Sequence, residues 1–155
     1  MKPMLKKTTT ITVDALRKNR SLMPDLTGDL SGLTGNIHPG LTGNITGLTG
    51  KVHPDLTGNI TGLWGKVHPD LTGDLSDLYG NISALTGKVH PGLWGNISAL
   101  TGKVHPGLWG KVHPDLTGNI SGLWGDLTDL TGDLDTCEIT EADRAAGINI
   151  ADLIG

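Results

Sequence analysis

The fold is decided by residues 63–77, Leu63-Trp64-Gly65-Lys66-Val67-His68-Pro69-Asp70-Leu71-Thr72-Gly73-Asp74-Leu75-Ser76-Asp77. The stretch is two copies of one unit, Leu-x-Gly-(Asn/Asp/Lys)-(Ile/Val/Leu). One copy is closed by three residues, His68-Pro69-Asp70, and the other by two, Ser76-Asp77. Fifteen such units of seven or eight residues tile Leu26 to Thr136 without a gap. A repeat on this scale fixes the architecture before any single residue does.

Seven- and eight-residue units pair to a constant sum. Leu33, Leu48, Leu63, Leu78, Leu93, Leu108 and Leu123 are each 15 apart, and Trp64, Tyr79, Trp94, Trp109 and Trp124 keep the same step. The His-Pro insertion falls in the first unit of some pairs (His38, His53, His68, His113) and in the second of others (His90, His105). A spacer that moves while the total is kept implies a closed coil of fixed circumference. Tandem copying contributes to the similarity of the units, but copying alone leaves the moving His-Pro unexplained.

Leu, Gly and Ile at positions 1, 3 and 5 give the period-two signal of a strand. Positions 2 and 4 then point outward. On this reading Gly sits on the inward parity and lets the facing strands approach. The closures are turn chemistry, with Pro fixing φ at the corner. A Gly in every unit and six internal His-Pro steps exclude helix. The pattern predicts an all-β fold, a two-sided β-solenoid or β-roll of about 15 residues per coil, capped at both ends. Roughly seven coils at ~4.8 Å would make a rod of about 35 Å. The alternative, a three-sided β-helix, would send consecutive aromatics to different faces.

Composition agrees with a ladder core rather than an ordinary globular one: 24 Gly, no Phe, and apolar residues in strict phase. Cys137 is the only cysteine, so no intramolecular disulfide forms. No apolar run has the length of a signal peptide or membrane span. These features point to a cytoplasmic protein without membrane contact. A net charge of −4 argues against nucleic acid as a partner.

Three segments follow. Residues 1–25 are a basic N-terminal cap (Lys2, Lys6, Lys7, Arg17, Lys18, Arg20), with strand-like alternation over Thr8–Val13 and a helical turn over Ala15–Asn19 capped by Asp14. Leu22-Met23-Pro24-Asp25 reads as a degraded Val-His-Pro-Asp closure, which would start a first coil near Lys18. Residues 26–136 are the solenoid. Residues 137–155 are a C-terminal cap, with a capping box at Thr140-Glu141-Ala142-Asp143, a short helix to Ala146, and a stop at Gly147. Ile148-Asn149-Ile150 and Leu153-Ile154 would cover the last coil. Cys137 stands where a Leu would open the next unit and is expected to be buried.

The aromatic ladder is the sharpest candidate site. Trp64, Tyr79, Trp94, Trp109 and Trp124 would project in one row ~4.8 Å apart, flanked by Lys66, Asn81, Asn96, Lys111 and Asp126. Such a row suits a small ligand or a protein partner. It also suits self-association into a homo-oligomer, or ring-on-ring stacking that only stiffens the sheet. The opposite face carries Thr27, Thr42, Thr57, Thr72, Thr86, Thr101, Thr117 and Thr131. The histidines could line a corner, but no carboxylate or thiol beyond Asp55 and Asp70 shares their phase, so no metal is assigned. No nucleophile–base–acid trio or phosphate-binding loop occurs. Neither an enzymatic activity nor a cofactor is expected.

The seven-residue half-coil with phased Asn and Thr resembles grass ice-binding β-rolls. That resemblance implies a Thr face that orders water, although Leu-x-Gly replaces their Asn/Val pattern, and Lys51, Lys66, Lys88, Lys103 and Lys111 interrupt an uncharged face. The charged head and Thr-Glu-Ala-Asp-Arg tail are similar in style to short-repeat solenoids of bacteria and their phages, which implies an accessory factor.

Overall fold

The structure, a computed structural model, describes residues 10–155. Lys2, Lys6, Lys7 and the start of the alternation expected at Thr8 lie outside the described residues. The elements in chain order are β1 (Ile11–Thr12), α1 (Val13–Lys18), β2 (Leu26–Thr27), β3 (Leu33–Ile37), β4 (Leu41–Asn44), β5 (Leu48–Val52), β6 (Leu56–Asn59), β7 (Leu63–Val67), β8 (Leu71–Asp74), β9 (Leu78–Asn81), β10 (Leu85–Val89), β11 (Leu93–Asn96), β12 (Leu100–Val104), β13 (Leu108–Val112), β14 (Leu116–Asn119), β15 (Leu123–Asp126), β16 (Gly132–Asp133), α2 (Glu141–Ala146) and β17 (Ile148–Asn149). Odd-numbered strands form one nine-stranded sheet and even-numbered strands one eight-stranded sheet. Apart from β1, which runs antiparallel to β3, all pairs are parallel. The coil is two-sided, as the alternating units predict, and it makes about 6 turns rather than seven.

Leu at position 1 and Ile, Val or Leu at position 5 fill the space between the sheets. Leu33, Ile37, Leu41, Ile45, Leu63, Val67, Leu78 and Ile82 are all 5 % exposed or less. Each such side chain contributes roughly 2 kcal/mol of transfer free energy. The same residues recur at every level, so the core is one continuous ladder.

Two features differ from the sequence reading. The first is register. Leu33 pairs with Gly50, Thr34 with Lys51 and Gly35 with Val52, an offset of 17 against the sequence period of 15. Every coil is slid by two residues on its neighbour, so a turn measured along the ladder is about 17 residues long. A slip of two preserves which side chains face in, whereas a slip of one would invert them. The second is the central glycine. It does not belong to the inward set. Gly58 has φ +99°, and a Cβ there would run into the side chains of Asp74 and Ser76 in the next coil. The missing side chain makes room along the solenoid axis, not between the sheets, and the left-handed backbone is one that L side chains avoid.

The corners explain the two closures. In a two-residue closure, the position-4 side chain accepts the N–H two residues on, as Asn44 Oδ1 does from Thr46 N at 3.0 Å. The closing hydroxyl then accepts a backbone N–H from the preceding coil: Asp29 N to Thr46 Oγ1 at 3.1 Å, Asn81 N to Ser98 Oγ at 3.1 Å. In a three-residue closure, His Nδ1 does the local work instead, accepting from Asp70 N at His68 (3.1 Å) and from Gly107 N at His105 (2.8 Å). Lys is therefore admitted at position 4 where His-Pro follows, and Asn or Asp where Ser or Thr follows.

Both ends are closed by short helices and arginines. Thr12, not Asp14, caps α1, accepting from Ala15 N at 3.1 Å. Asp14 pairs with Arg17 at 3.1 Å, and Arg17 Nη2 also donates to the carbonyls of Leu30 (2.8 Å) and Leu33 (2.6 Å). No coil begins near Lys18, because Val13–Lys18 is α-helical and Arg20–Leu22 a 3-10 turn, with extended Asn19 between them. The Met23-Pro24-Asp25 turn does keep the corner bond, Leu26 N to Met23 O at 3.1 Å, but Met23 is buried and Leu22 exposed. At the other end, Arg144 Nη1 donates to the carbonyls of Asn119 (2.7 Å) and Ser121 (2.8 Å). Ile150 is buried beneath this cap, with Ile148 and Leu153 partly buried against the core, whereas Ile154 is 59 % exposed. Cys137 is exposed, contrary to expectation. Leu134, position 5 of the last unit, is buried as the repeat predicts, and the 3-10 turn Leu134–Thr136 that follows carries Cys137 out.

The capping box of α2 is complete. Thr140 Oγ1 accepts from Asp143 N (3.1 Å), and Asp143 Oδ2 accepts from Thr140 N (3.0 Å). The bond from the Thr140 N–H, then that with its hydroxyl, holds the Asp143 carboxyl below its ordinary pKa. A depressed carboxyl stabilises the folded state above its unfolded-state value and loses that contribution as pH falls through the folded value. On acidification below the ordinary carboxylate range, α2 amides should lose hydrogen-exchange protection before those of β5 to β13. Simultaneous loss in both would remove the assigned role of this carboxylate.

Candidate binding face

Trp64, Tyr79, Trp94, Trp109 and Trp124 all occupy position 2 of strands in the nine-stranded sheet and point away from the core. They are 41–48 % exposed. Their large exposed area on one sheet is set by parity alone: Leu at position 1 is buried, so position 2 is out.

The two-residue slip changes their neighbours. Trp64 pairs across the ladder with Asn81, Tyr79 with Asn96, Trp94 with Lys111, Trp109 with Asp126 and Trp124 with Asn149. No ring sits level with the next one. A two-residue offset of ~6.6 Å along the strand and ~4.8 Å across it puts successive aromatic positions ~8 Å apart. The sequence reading, which assumed no slip, set them ~4.8 Å apart. On their other flank the rings have a turn glycine of the preceding coil. Added Cβ atoms on Gly47, Gly62, Gly92 and Gly107 would meet the Cβ of Trp64, Tyr79, Trp109 and Trp124 at 3.4–3.5 Å. Trp94 is the exception, with Asp77 at the equivalent place in left-handed geometry, φ 67°.

The polar residues along the row are those named from the sequence plus Asn149, but the slip sets each except Lys66 across from the ring of the preceding coil instead of only beside the aromatic of its own strand. Lys111 Nζ stands 5.4 Å from the centre of the Trp94 ring, a cation–π contact. Asn81, Asn96 and Asn149 spend Oδ1 on turn N–H groups, those of Ser83 (2.9 Å), Ser98 (3.0 Å) and Ala151 (3.1 Å). Asp126 does the same for Thr128 N at 2.9 Å; the Thr128 hydroxyl, and then that backbone bond, hold its carboxyl below the ordinary value. Lys66 is exposed beside Trp64. Asn149 was missed by the sequence reading because it lies outside the repeat; only its Asn-Ile spelling, shared with position 4–5 of the units, pointed to it.

The other candidate features are not built the same way. The slip seats Thr42 beside Asn59, Thr57 beside Asp74 and Thr86 beside Lys103, so the Thr positions alternate with amide and charged groups. The histidines divide between two opposite edges, and each Nδ1 is engaged by a backbone N–H. Among the described residues, no group of three His, Cys, Asp or Glu is placed to hold a metal, and no helix is long and apolar enough to cross a membrane. No known protein family, curated protein or solved structure matches this chain.

Proposed function

We propose that the chain is a non-enzymatic binding module that presents the aromatic row of its nine-stranded sheet to a ligand or a protein partner. The observation that carries this reading is the exposure of five large aromatic side chains in one phase of one sheet. Exposed aromatic area of this extent stays in water at a cost of roughly 25 cal/mol per Å², which a partner would recover. Lys111, Asn81, Asn96 and Lys66 supply polar groups around the rings.

Position 2 accepts Thr in the first coils, at Thr34 and Thr49, so a Trp-to-Thr change has a precedent in the fold. Trp94→Thr with Trp109→Thr is expected to leave the circular dichroism spectrum and melting temperature nearly unchanged. The same double variant should lose at least ~tenfold in affinity for whatever the wild type captures from a panel of immobilised glycans, peptides and oligonucleotides. Unchanged capture by the variant, or no capture by the wild type, refutes the reading. Tryptophan emission that is blue-shifted and protected from acrylamide in dilute wild-type protein would assign the row to self-assembly instead.

A further inference from the structure

The geometry points to a proline-rich segment in the polyproline II conformation as the occupant of the aromatic row, centred on Trp64 and Tyr79; this rests on the binding-module reading above. Three observations carry it. The first is hydrogen-bond sign. The asparagine oxygens along the row are engaged by turn N–H groups, Asn81 Oδ1 with both Ser83 N and Ser83 Oγ and Asn96 Oδ1 with Ser98 N. What each amide still offers is its NH₂, a donor. Trp64 adds an indole N–H and Lys66 an ammonium, while Tyr79 brings a hydroxyl that both donates and accepts, so this half of the row is richer in donors than in acceptors; the Asp126 carboxylate lies farther along, across from Trp109. A polyproline II chain is the complementary object. Its carbonyls have no internal hydrogen bonds, and proline brings no N–H that would need an acceptor. A sugar chain, whose hydroxyls must donate as well as accept, meets few acceptors here.

The second observation is spacing. Successive aromatic positions lie ~8 Å apart, and one polyproline II turn advances ~9.3 Å. A ligand of two or three turns therefore sets one prolyl ring near each aromatic ring before the mismatch accumulates. The third is charge. Around Trp64 and Tyr79 the cross-strand neighbours are the neutral Asn81 and Asn96. A polyanion would find only Lys66 on this half of the row, on a chain of net charge −4. The glycines at positions 47 and 62 leave the near flank of Trp64 and Tyr79 open, so the rings are held apart rather than packed into a closed patch.

The test titrates the full chain with a capped decaproline peptide, following tryptophan emission and confirming by calorimetry. Four variants are compared: Trp64→Thr, Tyr79→Thr, Asn81→Asp and Asn96→Asp. The last two keep the turn, because Asp74 makes the same bond to Ser76 N at 2.9 Å, but they replace an NH₂ donor with an acceptor. Saturable binding is expected, weakened ~tenfold by Trp64→Thr or Tyr79→Thr and several-fold by Asn81→Asp and Asn96→Asp, with little dependence on salt. No saturable change up to millimolar peptide overturns the inference, as does binding that Asn81→Asp and Asn96→Asp leave intact. Tryptophan-dependent binding of a neutral glycan or of oligothymidylate, without the peptide, overturns it while the binding-module reading stands. If no ligand shows tryptophan dependence, both fall.

Discussion

Gly73→Ala is expected to destabilise the protein by about 2–5 kcal/mol, while Gly47→Ala costs only about 1–2 kcal/mol. Both glycines are left-handed, with φ +100° and +94°. Placing an L side chain in that region costs ~1–2 kcal/mol by itself. They differ in what the new methyl meets. At Gly47 it lies 3.5 Å from Trp64 Cβ, an ordinary contact. At Gly73 it meets the carbonyl oxygen and the N–H nitrogen of Val89, backbone of the neighbouring coil. That backbone is fixed in the ladder by the pairing of Val89 with Gly73, Lys88 with Thr72 and Gly87 with Leu71. It cannot yield without breaking the hydrogen bonds that stack the coils, so an overpacking cost of ~1–3 kcal/mol adds to the conformational one. Chemical denaturation with circular dichroism measures both variants. Equal losses would show that the central glycine is there for its φ alone, and that the axial contact with the next coil is soft.

That glycine marks the limit of what the chain's spelling reveals. Period two at positions 1, 3 and 5 correctly places Leu33, Ile37 and their equivalents inside and Trp64 and its equivalents outside, because parity is a local property of a strand. The same rule assigns Gly35 inward and fails, because parity assumes an ordinary φ at every residue and Gly35 stands at φ +100°. Register escapes for a related reason. A two-residue slip leaves every inward side chain inward, so a sequence with a 15-residue period reads identically with or without it. The consequence reaches the candidate site. The row of aromatics is legible, but not that Asn81 rather than Tyr79 is the cross-strand neighbour of Trp64. The end caps were legible where chemistry is local, as in Thr140 and Asp143. They were not where a long side chain reaches across the fold, as Arg17 and Arg144 do to carbonyls 13 and 25 residues away.

Ile82→Ala is expected to cost about 2–5 kcal/mol and to divide the unfolding transition. Ile82 is fully buried between the sheets. Its N–H donates to Trp64 O at 2.9 Å, and its carbonyl accepts from Leu85 N at 3.1 Å, so the backbone on both sides of the cavity is held. The site cannot collapse around a smaller side chain, which places the cost toward the upper part of that range. In a solenoid each coil touches only its neighbours, so stability is a sum of coil terms and interface terms. A lesion at Ile82 weakens the middle of the stack and leaves a shorter stack on each side. A lesion at Leu134, buried under the last coil, removes one terminal interface and leaves the rest whole. Ile82→Ala should therefore broaden the thermal transition and speed amide exchange in β7 to β11 ahead of the flanking strands. Leu134→Ala should leave the main transition in place and release only the C-terminal cap. If both variants instead shift one sharp transition by similar amounts, the stack folds as a single cooperative unit, and coil-by-coil additivity does not describe it.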